Sequence, residues 1–440
     1  MQKLSEFVDR ARVLMSRKFV RLLAVLVGMV VMSTVFSANA FRMATPWLFN
    51  TFQIDSEALV VSNIVADRLT LEKGGARLGY IELDGEVRHP ASIVRAYQIF
   101  REGPGAEKLS FFSYTSSLGG QGWFFSAIAR GFEVRHIVIL YRINAVLLTL
   151  VLMGLFLIYR KIYDRTFAWV FLLVMIGSPW VVSFARNLYW VPFLWFLPSV
   201  FSGLLLLATK GWQRLLFAAG IVFAVFVKSA TGYEYLSSIT LLAASPFLVS
   251  PLLKGRLPSR SDWFWTSTVF ALCVVGFALA LGWHASMRGD GIVEGLMNIY
   301  EQDVKRRTWG DSSQFDPILK ASLESSVWDV LKIYFMEWRT PLIFRIGTSA
   351  FPAVVALVIA VLLFRIGRGR ADRWTLPGAF LIFLSIPLSW YILMKGHSFI
   401  HTHMNFVLWY FGFVQICLYI LWMQIRETYN HIKVSQRGTV

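Results

Sequence analysis

Residues 137–159 read IVILYRINAVLLTLVLMGLFLIY. Arg160-Lys161-Ile162-Tyr163-Asp164-Arg165 follow, and then a second apolar run over 166–185, TFAWVFLLVMIGSPWVVSFA. A membrane helix needs roughly 20 mainly apolar residues. A short basic turn between two such runs is the mark of a reversal on the cytoplasmic side. The same pattern recurs along the chain. It predicts ten spans, at about 19–38, 137–159, 166–185, 190–209, 213–228, 236–253, 263–284, 342–364, 375–395 and 404–424. The expected fold class is therefore an all-α integral membrane protein.

Composition agrees. Of 440 residues, 56% are hydrophobic and 16% charged, against about a quarter charged in a soluble domain. The mean hydropathy is +0.57, and the aromatic load includes 17 Trp and 37 Phe, which suits bilayer interfaces. These figures exclude a cytosolic enzyme, a disordered chain and a disulfide-stapled secreted domain. Cys273 and Cys417 lie in apolar runs and imply neither a disulfide nor a metal.

The net charge of +17 is topological rather than a nucleic-acid footprint. With the N-terminus in the cytoplasm, residues 1–18 with Arg21, four short loops and the tail from Arg426 carry a net +15. The remainder carries +2, and holds 20 of the 26 acids. This is the positive-inside distribution. It frames the chain as a cytoplasmic N-terminus (1–18), a first span (19–38), a periplasmic loop (39–136), spans two to seven (137–284), a second periplasmic loop (285–341), spans eight to ten (342–424) and a cytoplasmic tail (425–440). Ala38-Asn39-Ala40 after an apolar run also fits a signal-peptide cleavage site. The long basic region ahead of it favours an uncleaved helix.

Both long loops pattern as folded structure. Ile54, Ala58, Val61, Val65 and Leu69 recur at helical spacing, which predicts an amphipathic helix over 56–71. Asp84-Gly85 between two short runs predicts a hairpin over 78–88, and 91–102 reads as a further helix. Tyr114 to Phe125 is a Gly-rich turn feeding an aromatic stretch, suited to dipping into the interface. In the second loop, 290–307 reads as helical and ends in Lys305-Arg306-Arg307. Asp316-Pro317 starts another helix, with an apolar stripe from Leu319 to Tyr334.

Polar residues gather at the outer ends of the spans. Asp55 and Glu57 stand at the start of the amphipathic helix. Either could be a helix-terminus device, Asp55 as a cap and Glu57 as a first-turn charge. Alternatively Asp55 projects upward as a general base for a hydroxyl nucleophile. Arg142, Arg186, Lys228, Arg345 and Lys395 lie at one common depth, where they could meet a lipid phosphate or snorkel to headgroups. Asn187 and Tyr189 beside Arg186, and Tyr233 and Glu234 beside Lys228, offer the ring faces and acceptors that a sugar surface needs. His397, His401 and His403 fall within seven residues. They carry no H-E-x-x-H pattern and no cysteine neighbour, so the reading assigns them to phosphate or sugar hydroxyls and predicts no metal.

With an inside N-terminus, many spans and a long first outer loop bearing an acidic motif, the layout resembles the GT-C superfamily of membrane glycosyltransferases. Asp55-Ser56-Glu57 stands where that superfamily carries its acidic motif. The stretches Tyr114–Trp123, Asn187–Trp190, Gly232–Tyr235 and His397–His403 look like those of membrane proteins of bacterial polysaccharide loci. The resemblance implies a bacterial inner-membrane enzyme active on its periplasmic face. Its donor would be a polyprenyl-phosphate sugar and its acceptor a glycan or lipid-linked molecule. Transfer would invert the anomeric centre with Asp55 as base, and no cofactor or nucleic acid would take part. Other readings are a polymerase or ligase using a diphosphate-linked donor, a lipid-linked sugar transporter or flippase, and a non-catalytic assembly subunit.

Overall fold

The computed structural model describes residues 2–87, 89–308, 310–337, 341–344, 346–347 and 350–437. The first helix, α1, runs Gln2–Ala38. The segment before the next long helix is a small α+β unit: α2 (Pro46–Thr51), α3 (Ile54–Arg68), β1 (Gly79–Leu83), α4 (Ala91–Glu102), β2 (Leu109–Ser113) and α5 (Gly120–Gly131). The apolar bundle follows as α6 (Ile137–Ile162), α7 (Arg165–Gly177), α8 (Pro179–Phe184), α9 (Phe193–Leu207), α10 (Gly211–Thr231), α11 (Leu236–Ala244), α12 (Pro246–Leu253) and α13 (Arg260–Ser286). The second loop holds α14 (Ile292–Ile299), α15 (Pro317–Glu324) and α16 (Val327–Met336). The chain closes with α17 (Ala350–Gly367), α18 (Thr375–Leu393), α19 (Lys395–Ile400), α20 (Thr402–Asn405) and α21 (Phe413–Arg437).

The chain is nearly all-α, and its apolar helices suit a multi-pass membrane protein. Among the described residues, five helices are long and apolar enough to cross a membrane: α6, α10, α13, α17 and α18. The number rises to seven if each of two bent pairs forms one span. Three further apolar helices, Leu22–Ala38, Arg165–Gly177 and Phe193–Leu207, are shorter. Two of the expected spans are therefore broken. Between α11 and α12 the axis bends by 46° at Ser245-Pro246, because Pro246 donates no backbone bond and its ring crowds the preceding turn. Before α21 the bend is 45° at Gly412. Gly412 has φ +117°, and a Cβ there would lie 2.2 Å from the Phe383 ring, so the kink needs glycine. The third expected span also breaks, at Ser178, whose hydroxyl caps α8. The eighth starts later than expected: Leu342 to Phe344 are non-helical, and the Phe344 amide bonds to Gly177 O at 2.7 Å.

The first loop departs from its sequence reading in two ways. The predicted amphipathic helix exists as α3, but it has no wet face over 57–66, where every residue is buried. It is the core of the loop, held between α4, α5 and β1. The predicted hairpin shrinks to a tight turn. Asp84 and Gly85 both take positive φ and a single bridge joins Leu83 to Glu86. The ladder partner of β1 is instead β2, antiparallel, from Gly79↔Ser113 to Leu83↔Leu109. The 86–88 stretch is too short to build a ladder, whereas Leu109–Ser113 supplies five residues that pair in register. The predicted 91–102 helix is α4.

In the second loop, Asp316 Oδ1 accepts from the Leu319 amide at 3.0 Å, as a cap should. The expected continuous stripe is divided by Ser326, which opens α16 with a reciprocal capping box to Asp329.

Two ends of the bundle can be told apart by their bonds. At one, the basic loops meet. Arg365 bonds to Asp372 at 2.5 Å and to Glu427 at 3.0 Å, the Tyr419 hydroxyl donates to Asp164 at 2.5 Å, and the Ser250 hydroxyl donates to Ile162 O at 2.6 Å. At the other, the two long loops dock onto the helix ends.

Candidate functional site

At the loop-bearing end, Glu57 comes first because it organises the rest. It is 5% exposed. Its Oε1 accepts from the Tyr97 hydroxyl at 2.8 Å and the Tyr141 hydroxyl at 2.6 Å, and its Oε2 accepts from the Leu188 amide at 2.9 Å. Burial pushes its pKa up, against the pull of those bonds and of Arg186. Expected in the catalytic pair, Glu57 is instead a buried tether between the first loop and the Arg186–Trp190 reversal. Three protein donors on its two oxygens and its burial commit this carboxylate to holding the segments together.

Asn187 completes the tether. Its side-chain amide donates to Phe52 O at 3.0 Å, and its Oδ1 accepts from the amides of Tyr189 and Trp190 at 3.0 and 3.2 Å. Arg186 bonds to Phe49 O and Asn50 Oδ1 at 3.0 and 3.1 Å, with its guanidinium over the Phe49 and Tyr141 rings. Both residues bond to the segment of α2 and its C-terminal end.

Asp55, two residues before Glu57, stands in a different environment. It is exposed in the first turn of α3. It is not the cap, since that position is Gln53, in a left-handed conformation, whose side chain accepts from the Ser56 hydroxyl at 3.3 Å rather than from a backbone amide of the helix. The Asp55 carboxylate bonds to no described residue. The Tyr80 hydroxyl reaches its backbone oxygen at 3.4 Å, and its charge is felt at His403.

The three histidines form a line. The helix breaks at His401, so the rings of His397 and His401 lie 4.4 Å apart and those of His401 and His403 5.6 Å apart. A continuous helix would have turned His403 away. The line continues inward: His397 Nδ1 is 3.4 Å from Asn405 Nδ2, and Asn405 Oδ1 accepts from the Tyr235 hydroxyl at 2.9 Å. Trp190 stacks on Tyr235 with ring centroids 5.6 Å apart.

The cations expected to bind phosphate are differently employed. Lys228 is buried and its ammonium donates to Gly232 O at 2.6 Å. Lys395 donates to Leu323 O and Ser325 O at 2.5 and 2.7 Å, capping the C-terminal end of α15. Arg345 lies outside the described residues. Convergence of these three on one ligand therefore lacks support from Lys228 and Lys395, whose ammonium groups satisfy backbone carbonyls.

A second polar cluster joins Tyr189, Tyr233 and Glu234, which the sequence suggested for a sugar surface, to His284, Arg288, Asp303 and Arg307, which it left unassigned. Tyr233 OH pairs with His284 Nδ1 at 2.8 Å, and His284 Nε2 pairs with Thr115 O at 2.9 Å. Arg288 bonds to Asp303, and Arg307 lies 4.0 Å from the same carboxylate. Although buried, Asp303 is held below the usual carboxylate range, mainly by the Arg288 bond and the Arg307 charge. Glu234, Tyr114 and Tyr189 face Arg307. Burial and the neighbouring Tyr114 and Glu234 push the Tyr189 hydroxyl well up. The Glu234 carboxylate, partly buried, forms no hydrogen bond or ion pair with a described residue. The sequence signal for Arg307 was the Lys305-Arg306-Arg307 run, which reads as an ordinary solvated helix end.

Two apolar grooves flank these groups. One of about 820 Å³ lies between α5, α9, α10 and α13, with Trp123, Phe193, Leu197, Phe226 and Trp283 in its walls. The other, about 540 Å³, is lined by Arg42, Trp47, Trp180, Phe344, His403 and Phe406, on the Asp55 side.

Comparisons with family models, curated proteins and solved structures return no match.

Proposed function

We propose that this protein is a glycosyltransferase of a bacterial inner membrane. It crosses the bilayer ten times with both termini inside, and takes a sugar from a polyprenyl phosphate at its periplasmic face. Asp55 removes the proton from the acceptor hydroxyl as that oxygen attacks the anomeric carbon. The bond to the phosphate breaks with inversion, and polyprenyl phosphate leaves with the electron pair. The acceptor is a glycan or a lipid-linked molecule.

The observation that carries the reading is the contrast at α3. Glu57 is spent on packing, while Asp55, two residues earlier, keeps a free carboxylate beside the histidine line. A general base needs such an accessible lone pair. Tyr80 and His403 lie near it and carry groups able to bond to sugar hydroxyls. The topology is supported by the sorting of bonds: inter-helix contacts among the basic loops lie at one end, and loop-to-helix contacts lie at the other.

The test is transfer in proteoliposomes with a panel of radiolabelled polyprenyl-phosphate sugars and membrane glycolipid acceptors. The reading expects labelled product and free polyprenyl phosphate in equal amounts. Product formed without polyprenyl phosphate, or label that crosses the bilayer unchanged, would favour a diphosphate-linked donor or transport respectively. Cysteines placed at Lys73 and Gln314 should label from outside intact cells, and one at Ser259 should not. External labelling at Ser259 would reverse the orientation.

A further inference from the structure

The second outer loop holds an apolar face outward. Helix α14 (Ile292–Ile299) follows the last turn of α13 after a short link and runs on into a π-helical turn, Tyr300–Val304. Helical spacing divides its surface into three edges. Gly295 and Ile299 are buried, and Asp303 continues their line. Ile292, Leu296, Tyr300, Val293 and Met297 form the next edge, and each is between 37% and 77% exposed. Glu294 and Asn298 form the third and are exposed as well. An ordinary surface helix has one packed side and one polar side. Here a packed edge, an exposed apolar edge and a wet edge lie side by side.

The docking fixes where each edge points. A Cβ on Gly295 would lie 1.8 Å from Ala285 O, so the backbone of α14 sits directly on that of α13. No other helix position could make that approach, and α14 cannot rotate its apolar edge inward. The buried ion pair of Arg288 with Asp303 ties the two ends of the segment together, and the Asp290 amide donates to Glu294 Oε2 at 2.9 Å. The apolar edge is thus held outward by the fold.

What it meets follows from its neighbour. α13 is long and apolar enough to cross a membrane, and most of its apolar length is unburied. Phe270, Val274, Leu279, Trp283 and Met287 carry that exposed surface up to the turn where α14 docks. On a spanning helix such a surface is lipid-facing. The apolar edge of α14 extends it at the level where the span ends. Headgroup charge has little to hold here. Arg288 is paired with Asp303 and Lys305 with Glu301 at 2.6 Å, while Asp290 and Glu294 bring negative charge to the flank.

We infer that α14 lies in the interfacial layer of the bilayer, with Ile292, Val293, Leu296, Met297 and Tyr300 among the upper acyl chains and Glu294 and Asn298 in water. Its partner is a lipid surface, gripped by apolar contact rather than by headgroup charge. The inference needs the chain to span a membrane and does not depend on sugar transfer.

The test places one cysteine at a time at Val293, Glu294, Met297 or Asn298 of the full-length chain. Cys273 and Cys417 are buried, so the label goes to the introduced site. Each variant carries an NBD fluorophore in a nanodisc holding one copy. The quenchers are iodide in the water and phosphatidylcholine with a nitroxide high on its acyl chain. Labels at Val293 and Met297 should be quenched about twofold or more above those at Glu294 and Asn298 by the lipid nitroxide, with the order reversed for iodide. Adding phosphatidylglycerol should leave the pattern unchanged. Equal iodide quenching at all four positions would overturn the proposal, because the apolar edge would then lie in water. Water contact in one-copy discs with protection from both quenchers in two-copy discs would overturn it in favour of a second copy of the chain. Lipid contact seen only with phosphatidylglycerol would remove the apolar basis. Should a labelled variant misfold, a photoactivatable phosphatidylcholine on the wild-type chain decides. Crosslinks within 292–300 support the seat, and crosslinks confined to the spans refute it.

Discussion

The two ends of the helical bundle treat charge in opposite ways. At the basic end, an excess of surface cations surrounds a few closely matched pairs. The Arg365 side chain is 4% exposed and is met by Asp372, Glu427 and the Gln424 side chain, while Arg370 binds Glu427 as well at 2.6 Å. Arg256 likewise pairs with Asp262 at 2.7 Å and, with Ser259, pulls that carboxylate down to about 2. At the loop-bearing end, structural charges are matched too, as Glu57 and Lys395 show, but the carboxylates of Asp55 and Glu234 form no hydrogen bond with a described residue. Unspent polar groups cost stability. The contrast that bears on the proposed function is therefore local: Glu57 is enclosed by its partners, and Asp55, two residues earlier, is exposed.

Substitutions can sharpen or break this contrast. The largest effect is expected for Glu57→Ala, which leaves the hydroxyls of Tyr97 and Tyr141 and the Leu188 amide without their acceptor. At about 1–3 kcal/mol for each of the three donors left unsatisfied, the loss should be roughly 3–9 kcal/mol, read as failed expression or a steep fall in Tm in detergent. Glu57→Gln, which keeps one acceptor oxygen, should cost clearly less. A Glu57→Ala protein as stable as wild type but inactive would return Glu57 to the catalytic group. Next is Arg365→Met, which strands the carboxylates that Arg365 holds. A loss of about 3 kcal/mol is expected, with transfer per folded molecule unchanged. Loss of transfer without loss of stability would place function at the wrong end.

How much of this was legible beforehand follows from sequence distance. Elements set by nearby residues were readable: α4 from its local pattern, the Asp316 cap from Asp-Pro, the apolar helices from hydropathy. The β1–β2 ladder was not, because its strands lie about thirty residues apart and the Asp84-Gly85 turn pointed to a nearer partner. Glu57's partners sit 40, 84 and 131 residues away, so a tether and a catalytic acid look the same in the sequence. Lys395 was misread for the same reason: the carbonyls it caps belong to α15, about seventy residues earlier. Asp55 was legible as a carboxylate near a helix start. Its freedom was one of two readings that the sequence left open, and Gln53 taking the cap position removes the other.

Lys395→Met gives the smallest of these effects. Removing a cap on two carbonyls should cost about 1–2 kcal/mol and leave transfer per folded molecule within a few-fold. A hundredfold loss of transfer in a stable Lys395→Met protein would instead return the ammonium to the phosphate site.

The central claim is that Asp55 is the base, and Asp55→Asn tests it most directly. Asparagine keeps the size and hydrogen bonding of aspartate and loses its charge and basicity. At an exposed helix start that exchange leaves the fold intact. Transfer from polyprenyl-phosphate sugar is measured for wild type and variant reconstituted at equal density, with Tm and farnesyl phosphate binding as controls. The account predicts unchanged Tm, unchanged binding and transfer reduced by about 10²-fold or more. Transfer within a few-fold of wild type would contradict it.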